Sequence, residues 1–262
     1  MRTPRKQCES EMYHVICRGT GKQLIFEDDE DRARFLDLLR QSAQITSVEV
    51  IAWCLIGNHV HLLFHAPLEA ISQCMKRVCG GYAQQFNLRH ARSGHLFQER
   101  FKSEPIEDDP YLLTVVKYIH YNPEKAGIAK HDEYPWSSYA EYAARSCSRA
   151  ICSTALVLDL LGGAAGFIAF HETYSDAASC IDVEVPRSST RAMPDEIALE
   201  VAYQVLGGRN LGELKSLERE ERNRLLALLL ARGLSVRQTE RLTGISRGII
   251  QKAKTVRQGE KR

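Results

Sequence analysis

Two histidines one residue apart, His59 and His61, sit inside the apolar run IGNHVHLLFH at residues 56–65. In an extended strand alternate side chains share a face, so both imidazoles project together while Val60 and Leu62 project to the other side. A neutral imidazole is a common ligand for a divalent metal, and two at this spacing can chelate one ion. The same pair also reads as two half-buried, hydrogen-bonded core histidines. His65 shares their face, but at a strand end solvent exposure is the simpler reading. Further on, Tyr118 and Asn122 stand four apart in YIHYNPEKAG, the helical spacing that sets one side chain above the other. The amide oxygen of Asn122 can complete a mixed nitrogen and oxygen shell, and Tyr118 offers a nucleophile. The plainer alternative makes Tyr118 a core aromatic and Asn122 a cap before Pro123. Tyr111 shares the face of Tyr118 and Tyr121 lies on a flanking face, so both are competing phenols.

A phenol with a reference pKa of ~10 is only ~0.1% ionised at pH 7, a shortfall of ~4 kcal/mol, so a tyrosine nucleophile needs help. Lys117 and His120 are its sequence neighbours but point elsewhere on a helix, which leaves the proton acceptor unassigned.

The elements that must hold these groups can be read along the chain. Residues 12–18 and 48–56 form strands, Gly57-Asn58 makes a two-residue hairpin, and HVHLLFH is the third strand. Between the first two strands an acidic helix start at residues 28–31 opens a helix with Phe35, Leu36, Leu38 and Leu39 on one face. Residues 68–90 read as a helix with a weak point at Gly80-Gly81, and residues 95–106 as a fourth strand. A further helix follows, with Asp109 as cap, Pro110 in the first turn and an interruption at Asn122-Pro123. The order β-α-β-β-α-β is the ferredoxin-like split unit, its sheet having one face covered by helices and the other partly open. The fold class is α+β: a ferredoxin-like domain with an added helix over residues 1–145, a helical extension and linker over 146–190, and an all-α unit over 191–262.

The all-α unit is basic. From Val201 onward there are fourteen Lys and Arg against six Asp and Glu, whereas the whole chain of 262 residues carries a formal charge of only +2. That asymmetry suits a polyanionic partner, or simply a solvated helical surface. GLSVRQTERLTGISRGIIQKAK resembles a helix-turn-helix: Ser235 caps one helix, Thr243-Gly244-Ile245 turns the chain and Ser246 caps a second. The second helix would present Arg247, Gln251, Lys252 and Lys254 to duplex DNA. Glu240 occupies a position that is usually small, four before the turn glycine. A small helical bundle with a charged surface is the alternative. The longest strongly apolar run, Leu225 to Ala231, is far shorter than the ~20 residues that span a bilayer, and the basic N-terminus lacks the apolar stretch of a signal peptide. The eight cysteines form no C-x-x-C pair and fit free thiols in a reducing compartment. These readings favour a cytoplasmic protein without membrane association.

Taken together, Asn-His-Val-His-Leu-Leu, YIHYNPEKAG, RGTGKQLIFEDDEDRARFLDLL, SGHLFQERFKS and EYPWSSY resemble the single-tyrosine HUH transposases, and within them the REP-associated tyrosine transposases, over roughly residues 10–142. The resemblance implies metal ligation by His59, His61 and Asn122, nucleophilic attack by Tyr118, and Mg²⁺ or Mn²⁺ as the ion. It implies cleavage of single-stranded DNA bearing a hairpin or palindromic repeat, with a 5′-phosphotyrosine and a free 3′-OH, by a monomer or homodimer. Lys76, Arg77, Arg89, Arg92, Arg100 and Lys102 would then track phosphates, and Tyr82, Phe97 and Phe101 would stack on bases. Two rival functions share these residues: a non-catalytic regulator using the helix-turn-helix, and a metal phosphodiesterase that uses water and leaves no adduct.

Overall fold

The computed structural model describes residues 5–145, 150–173, 193, 195–207 and 211–259, with residues 196, 200 and 254–259 described by their backbone only. Four strands, β1 (Met12–Arg18), β2 (Glu49–Ile56), β3 (His59–His65) and β4 (Lys102–Pro105), form one antiparallel sheet in the order β2-β3-β1-β4. Helices α1 (Asp29–Thr46) and α2 (Leu68–Arg89) separate them, and α3 (Asp109–Lys125) follows β4. Alternation divides the strands between two faces. Tyr13, Val15 and Cys17 pair with Phe64, Leu62 and Val60 on the side of α1 and α2, where Cys17 Sγ lies 3.7 Å from Cys79 Sγ of α2. His14 and Ile16, with Leu63 and His61, face the other way and meet α3. The second face is therefore covered, contrary to the partly open sheet read from the sequence: the apolar side of α3, Leu112, Val115, Val116 and Ile119, needs burial and finds it there.

Local chemistry sets the helix ends. Asp28 accepts the backbone N–H of Asp31 at 3.0 Å and opens α1, with three acidic residues in its first turn to complement the helix dipole. α2 runs unbroken through Gly80-Gly81. A side chain at Gly81 would make an ordinary contact of 3.5 Å with Leu38 of α1, so neither glycine is required by packing, and the helix tolerates their poor propensity. At α3 the cap is Asp108 rather than Asp109: its carboxylate accepts from Tyr111 N at 2.7 Å, and Asp109 and Pro110 fill the first turn. Nor does Asn122-Pro123 stop the helix, which continues to Lys125. A proline in the last turn forfeits only one intrahelical bond there. β4 is also shorter than expected; residues 95–101 hold to β1 and the turn after it by Thr20 N–H to Leu96 O and Gln98 N–H to Arg18 O, both 2.9 Å.

Beyond α3 the chain returns along β2. Leu55 N–H donates to Trp136 O and Ser138 N–H to Trp53 O, each at 2.9 Å, while the Tyr142 hydroxyl donates to Ile51 O at 2.6 Å. After α4 (Tyr139–Tyr142), α5 (Ala155–Leu161) and α6 (Ala164–Glu172) join the same core through Val157 and Phe167. His120 of α3 and His171 of α6 share a hydrogen bond of 3.0 Å between Nδ1 and Nε2. Burial holds both well on the neutral side of their usual range. Among the described residues no single helix is long and apolar enough to cross a membrane; α5 and α6 together reach the length but bend by 71°. The domain boundary expected near residue 190 lies outside the described residues.

A second core gathers α7 (Asp195–Val205), α8 (Arg219–Ala231), α9 (Val236–Thr243) and α10 (Arg247–Gly259) around Leu226, Leu229 and Ile250. Leu24, from the segment between β1 and α1, is buried in it. Ser235 and Gln238 form a reciprocal capping box at α9, and Gly244, left-handed at φ 63°, ends it. Glu240 does not wedge between the helices: it points outward and pairs with Arg247 of α10.

Candidate active site

Strand register brings together side chains that are distant in sequence. Pairing of β1 with β3 sets Ile16 opposite His61 and Arg18 opposite His59, so His14, Arg18, His59 and His61 share one face. The rings of His59 and His61 lie 5.0 Å apart. α3 lays Tyr118 over this face, its ring edge-on to His61 at 5.6 Å and to His14 at 5.8 Å. His14 and His61 are fully buried and Tyr118 is 2% exposed, whereas His59 is half-buried at the turn.

The imidazoles are neutral. Burial, with Arg18 adding to it, pushes His59 down to about 3. His61 is held well below its ordinary value by burial first, then by His59, His14, Lys125 and Arg18. Neutral rings are what a metal ligand requires. The Asn58 amide donates to Lys22 O at 3.5 Å, which turns its oxygen to His59 Nδ1 at 2.6 Å. An amide oxygen can only accept, so His59 carries its hydrogen on Nδ1 and offers Nε2 as a lone pair. His61 Nε2 is buried with no hydrogen-bond partner, so a ligand there would satisfy a polar atom that otherwise goes unpaired. Asn122 donates its amide nitrogen back along α3 to Tyr118 O at 2.9 Å. Among the described residues no three His, Cys, Asp or Glu side chains gather to hold an ion. By donor chemistry alone, neutral imidazole nitrogens and an amide oxygen suit a divalent cation that takes its remaining ligands from water or substrate.

Two cations adjoin the site that sequence reasoning did not single out. Lys125 Nζ lies 4.1 Å over the centre of the Tyr118 ring; its position seven residues on, two helical turns, is the signal that could have found it. Arg18 reaches the site only through cross-strand register, which no local pattern gives. The other phenols are occupied or set apart. The Tyr121 hydroxyl donates to His171 O, and Tyr111 stands two turns earlier in α3. Lys117 Nζ donates to Phe170 O at 2.9 Å, and His120 bonds Ser138 Oγ at 2.8 Å besides His171; both turn away from Tyr118.

Of the expected phosphate-tracking residues, Lys76, Arg77, Arg100 and Lys102 are exposed. Arg89 is not available: it holds Asp28 at 2.6 Å, Glu30 at 2.9 Å and buried Asp31 at 2.7 Å. The hydrogen bond to Asp28 heads the causes that raise its pKa. Arg92 donates to Gln23 at 2.7 Å and reaches Glu27 at 3.5 Å. This network ties the start of α1 to the end of α2. Arg89→Ala should therefore cost roughly 2 kcal/mol in denaturant unfolding, since it strips partners from a buried carboxylate. Affinity for single-stranded DNA should stay nearly unchanged; a large affinity loss without a stability loss would return Arg89 to the DNA surface. Tyr82 is likewise no stacking platform: it is buried between α1 and α2 and donates to Ile25 O. Phe97 is half-buried against the core, and Phe101 lies under Arg5 at 3.7 Å. On α10, Arg247, Gln251 and Lys252 are exposed; the side chain of Lys254 lies outside the described residues.

Residues 7–122 match the family model described as IS200-like transposase. A Haemophilus influenzae protein bearing the name of a REP-associated tyrosine transposase is 27% identical over 117 residues, covering 40% of this chain and 66% of that protein. The chain thus spans just under two thirds of the length of that curated relative. Among solved structures, a REP-associated tyrosine transposase bound to a REP hairpin aligns with a TM-score of 0.45 at 16% identity, over 55% of this chain and 86% of that one. A Deinococcus radiodurans protein described as a transposase aligns with a TM-score of 0.33 at 21% identity, over 45% of this chain and 95% of that one.

Proposed function

We propose that this chain, whose residues 7–122 match the IS200-like transposase family model, nicks and rejoins single-stranded DNA through Tyr118. The observation that carries the reading is the edge-on contact of Tyr118 with His61 at 5.6 Å, across two elements remote in sequence. We read the strand order β2-β3-β1-β4 as the ferredoxin-like arrangement. On this reading the Tyr118 hydroxyl attacks the scissile phosphate. The new bond is a 5′-phosphotyrosine, and the 3′ oxygen leaves in line as a free hydroxyl. One phosphodiester replaces another, so little bond energy is lost and the 3′-OH of a second strand can reverse the step without ATP.

A bound Mg²⁺ or Mn²⁺, held by His59, His61 and Asn122, would supply Lewis-acid charge at a non-bridging phosphate oxygen, worth several kcal/mol. Lys125 favours charge on the phenol beneath it, and Arg18 adds positive potential beside His59 for an incoming phosphate. Exposed Lys76, Arg77, Arg100 and Lys102 would follow the strand outside the site. The hairpin in the substrate comes from the family resemblance, as does action by a monomer or homodimer. α9 and α10, joined at Gly244, would act as a helix-turn-helix that places Arg247, Gln251 and Lys252 against duplex DNA beside the hairpin.

End-labelled hairpin DNA incubated with the full chain and Mn²⁺, then resolved on a denaturing gel, tests the proposal. A protease-sensitive band of retarded DNA is expected. Free 5′-phosphate without an adduct would indicate a water-using phosphodiesterase, and intact DNA would indicate a binding protein only.

A further inference from the structure

The contact behind the metal-facing histidines carries one more step. His14 of β1 is fully buried, as is His61. Their rings stack at 5.2 Å with 22° between planes, and His14 Nε2 lies 3.0 Å from His61 Nδ1. Two neutral imidazoles share one hydrogen across such a contact, so one nitrogen donates and the other accepts. The choice decides which end of His61 is bare. If His61 Nδ1–H donates to His14, then His61 Nε2 is a lone pair. If His14 Nε2–H donates instead, His61 must carry its own hydrogen on Nε2, where it is buried without an acceptor and cannot bind an ion. In both arrangements the outer nitrogens, His14 Nδ1 and His61 Nε2, lack a protein partner. Only the first lets a ligand at Nε2 relieve one of them, and a buried group left unsatisfied is destabilising.

The contrast with His59 sharpens the point. His59 is held by an amide oxygen of Asn58 that can only accept, which fixes its tautomer before any ion arrives. The partner of His61 can donate or accept, so the orientation and tautomer of this ligand depend on His14. We propose that His14 is the positioning residue of the metal site: it accepts the Nδ1–H of His61 and thereby directs the bare Nε2 toward the ion. The inference rests on His59 and His61 being the ligands, as proposed above. Nothing in the pattern of β1 betrays this role, because the residue opposite His14 in the register is Leu63, and the bond to His61 is a diagonal one.

Calorimetric titration of the full chain with Mn²⁺ tests it, comparing wild type with His14→Phe, His14→Gln and His59→Ala. The ring of phenylalanine keeps the packing but cannot accept, so Mn²⁺ affinity should fall about 10- to 100-fold, as for other partners standing behind metal ligands. Glutamine restores an acceptor oxygen and should recover most of the loss. Long-range ¹⁵N–¹H spectra of the Mg²⁺-saturated wild type should place the His61 hydrogen on Nδ1. Folded His14→Phe binding Mn²⁺ as tightly as wild type, while His59→Ala does not bind, would overturn the role of His14 and leave the ligands standing. A wild type that binds no Mn²⁺ would overturn the ligand assignment itself. If His14→Phe fails to fold, the spectrum decides: His61 protonated on Nε2 in the Mg²⁺-saturated protein refutes the inference, and protonation on Nδ1 sustains it.

Discussion

Tyr118→Phe should abolish the covalent protein–DNA adduct on hairpin-bearing single strands, a loss on the order of a thousandfold or more in cleavage, because phenylalanine lacks the oxygen that forms the phosphotyrosine bond. The substitution removes one oxygen from a ring that is 2% exposed. The aromatic contacts with His14 and His61, and the cover of Lys125, stay in place. DNA affinity and thermal stability should therefore remain close to wild type, which separates lost chemistry from lost structure. An adduct persisting at wild-type level would move the nucleophile. Tyr111 would be tested first, because the hydroxyl of Tyr121 is engaged with the carbonyl of His171.

His59→Ala and His61→Ala should each weaken Mn²⁺ binding by more than about a hundredfold, beyond the loss typical of groups that merely support a ligand, and stop cleavage in parallel. The two variants should differ in stability. His61 is fully buried, so its removal leaves a cavity and deprives His14 Nε2 of its partner. His59 is half-buried at the hairpin and loses only its bond to Asn58, so its alanine variant is the cleaner probe. Calorimetry and urea unfolding on the same preparations read both effects. Unchanged Mn²⁺ affinity in both variants would reject the ligands.

What could be read in advance follows the range of each physical signal. Alternation within a strand is local, so β1 and β3 were legible to the residue, as was the shared face of His59 and His61. Helical spacing is local too, and it set Tyr118 and Asn122 in line on α3. Register between strands is not local. His14 and Arg18 enter the site only because β1 pairs with β3 in one particular offset. Charge pairing across distant elements was equally hidden: nothing near Arg89 in sequence announces Asp28 and Asp31, so its charge was misread as surface. The covered sheet face had the same cause, since the spacing of α3 gave an apolar side but not the surface against which it would lie. Proline at residue 123 misled in the opposite direction, because its cost depends on where the last turn of α3 ends.

Leu24 gives the tail of the chain a bearing on the front of it. Its side chain is sealed among the terminal helices, while the next two residues, Ile25 and Phe26, donate their backbone N–H groups to Gly57 O at 2.7 and 3.1 Å. Gly57 opens the turn whose second residue, Asn58, steadies His59. A shortened protein ending before α7 would bare a leucine that water penalises by about 1.5–3 kcal/mol, and the slack would arise next to the hairpin that carries His59 and His61. Removing the basic tail to study residues 7–122 alone would thus disturb that hairpin.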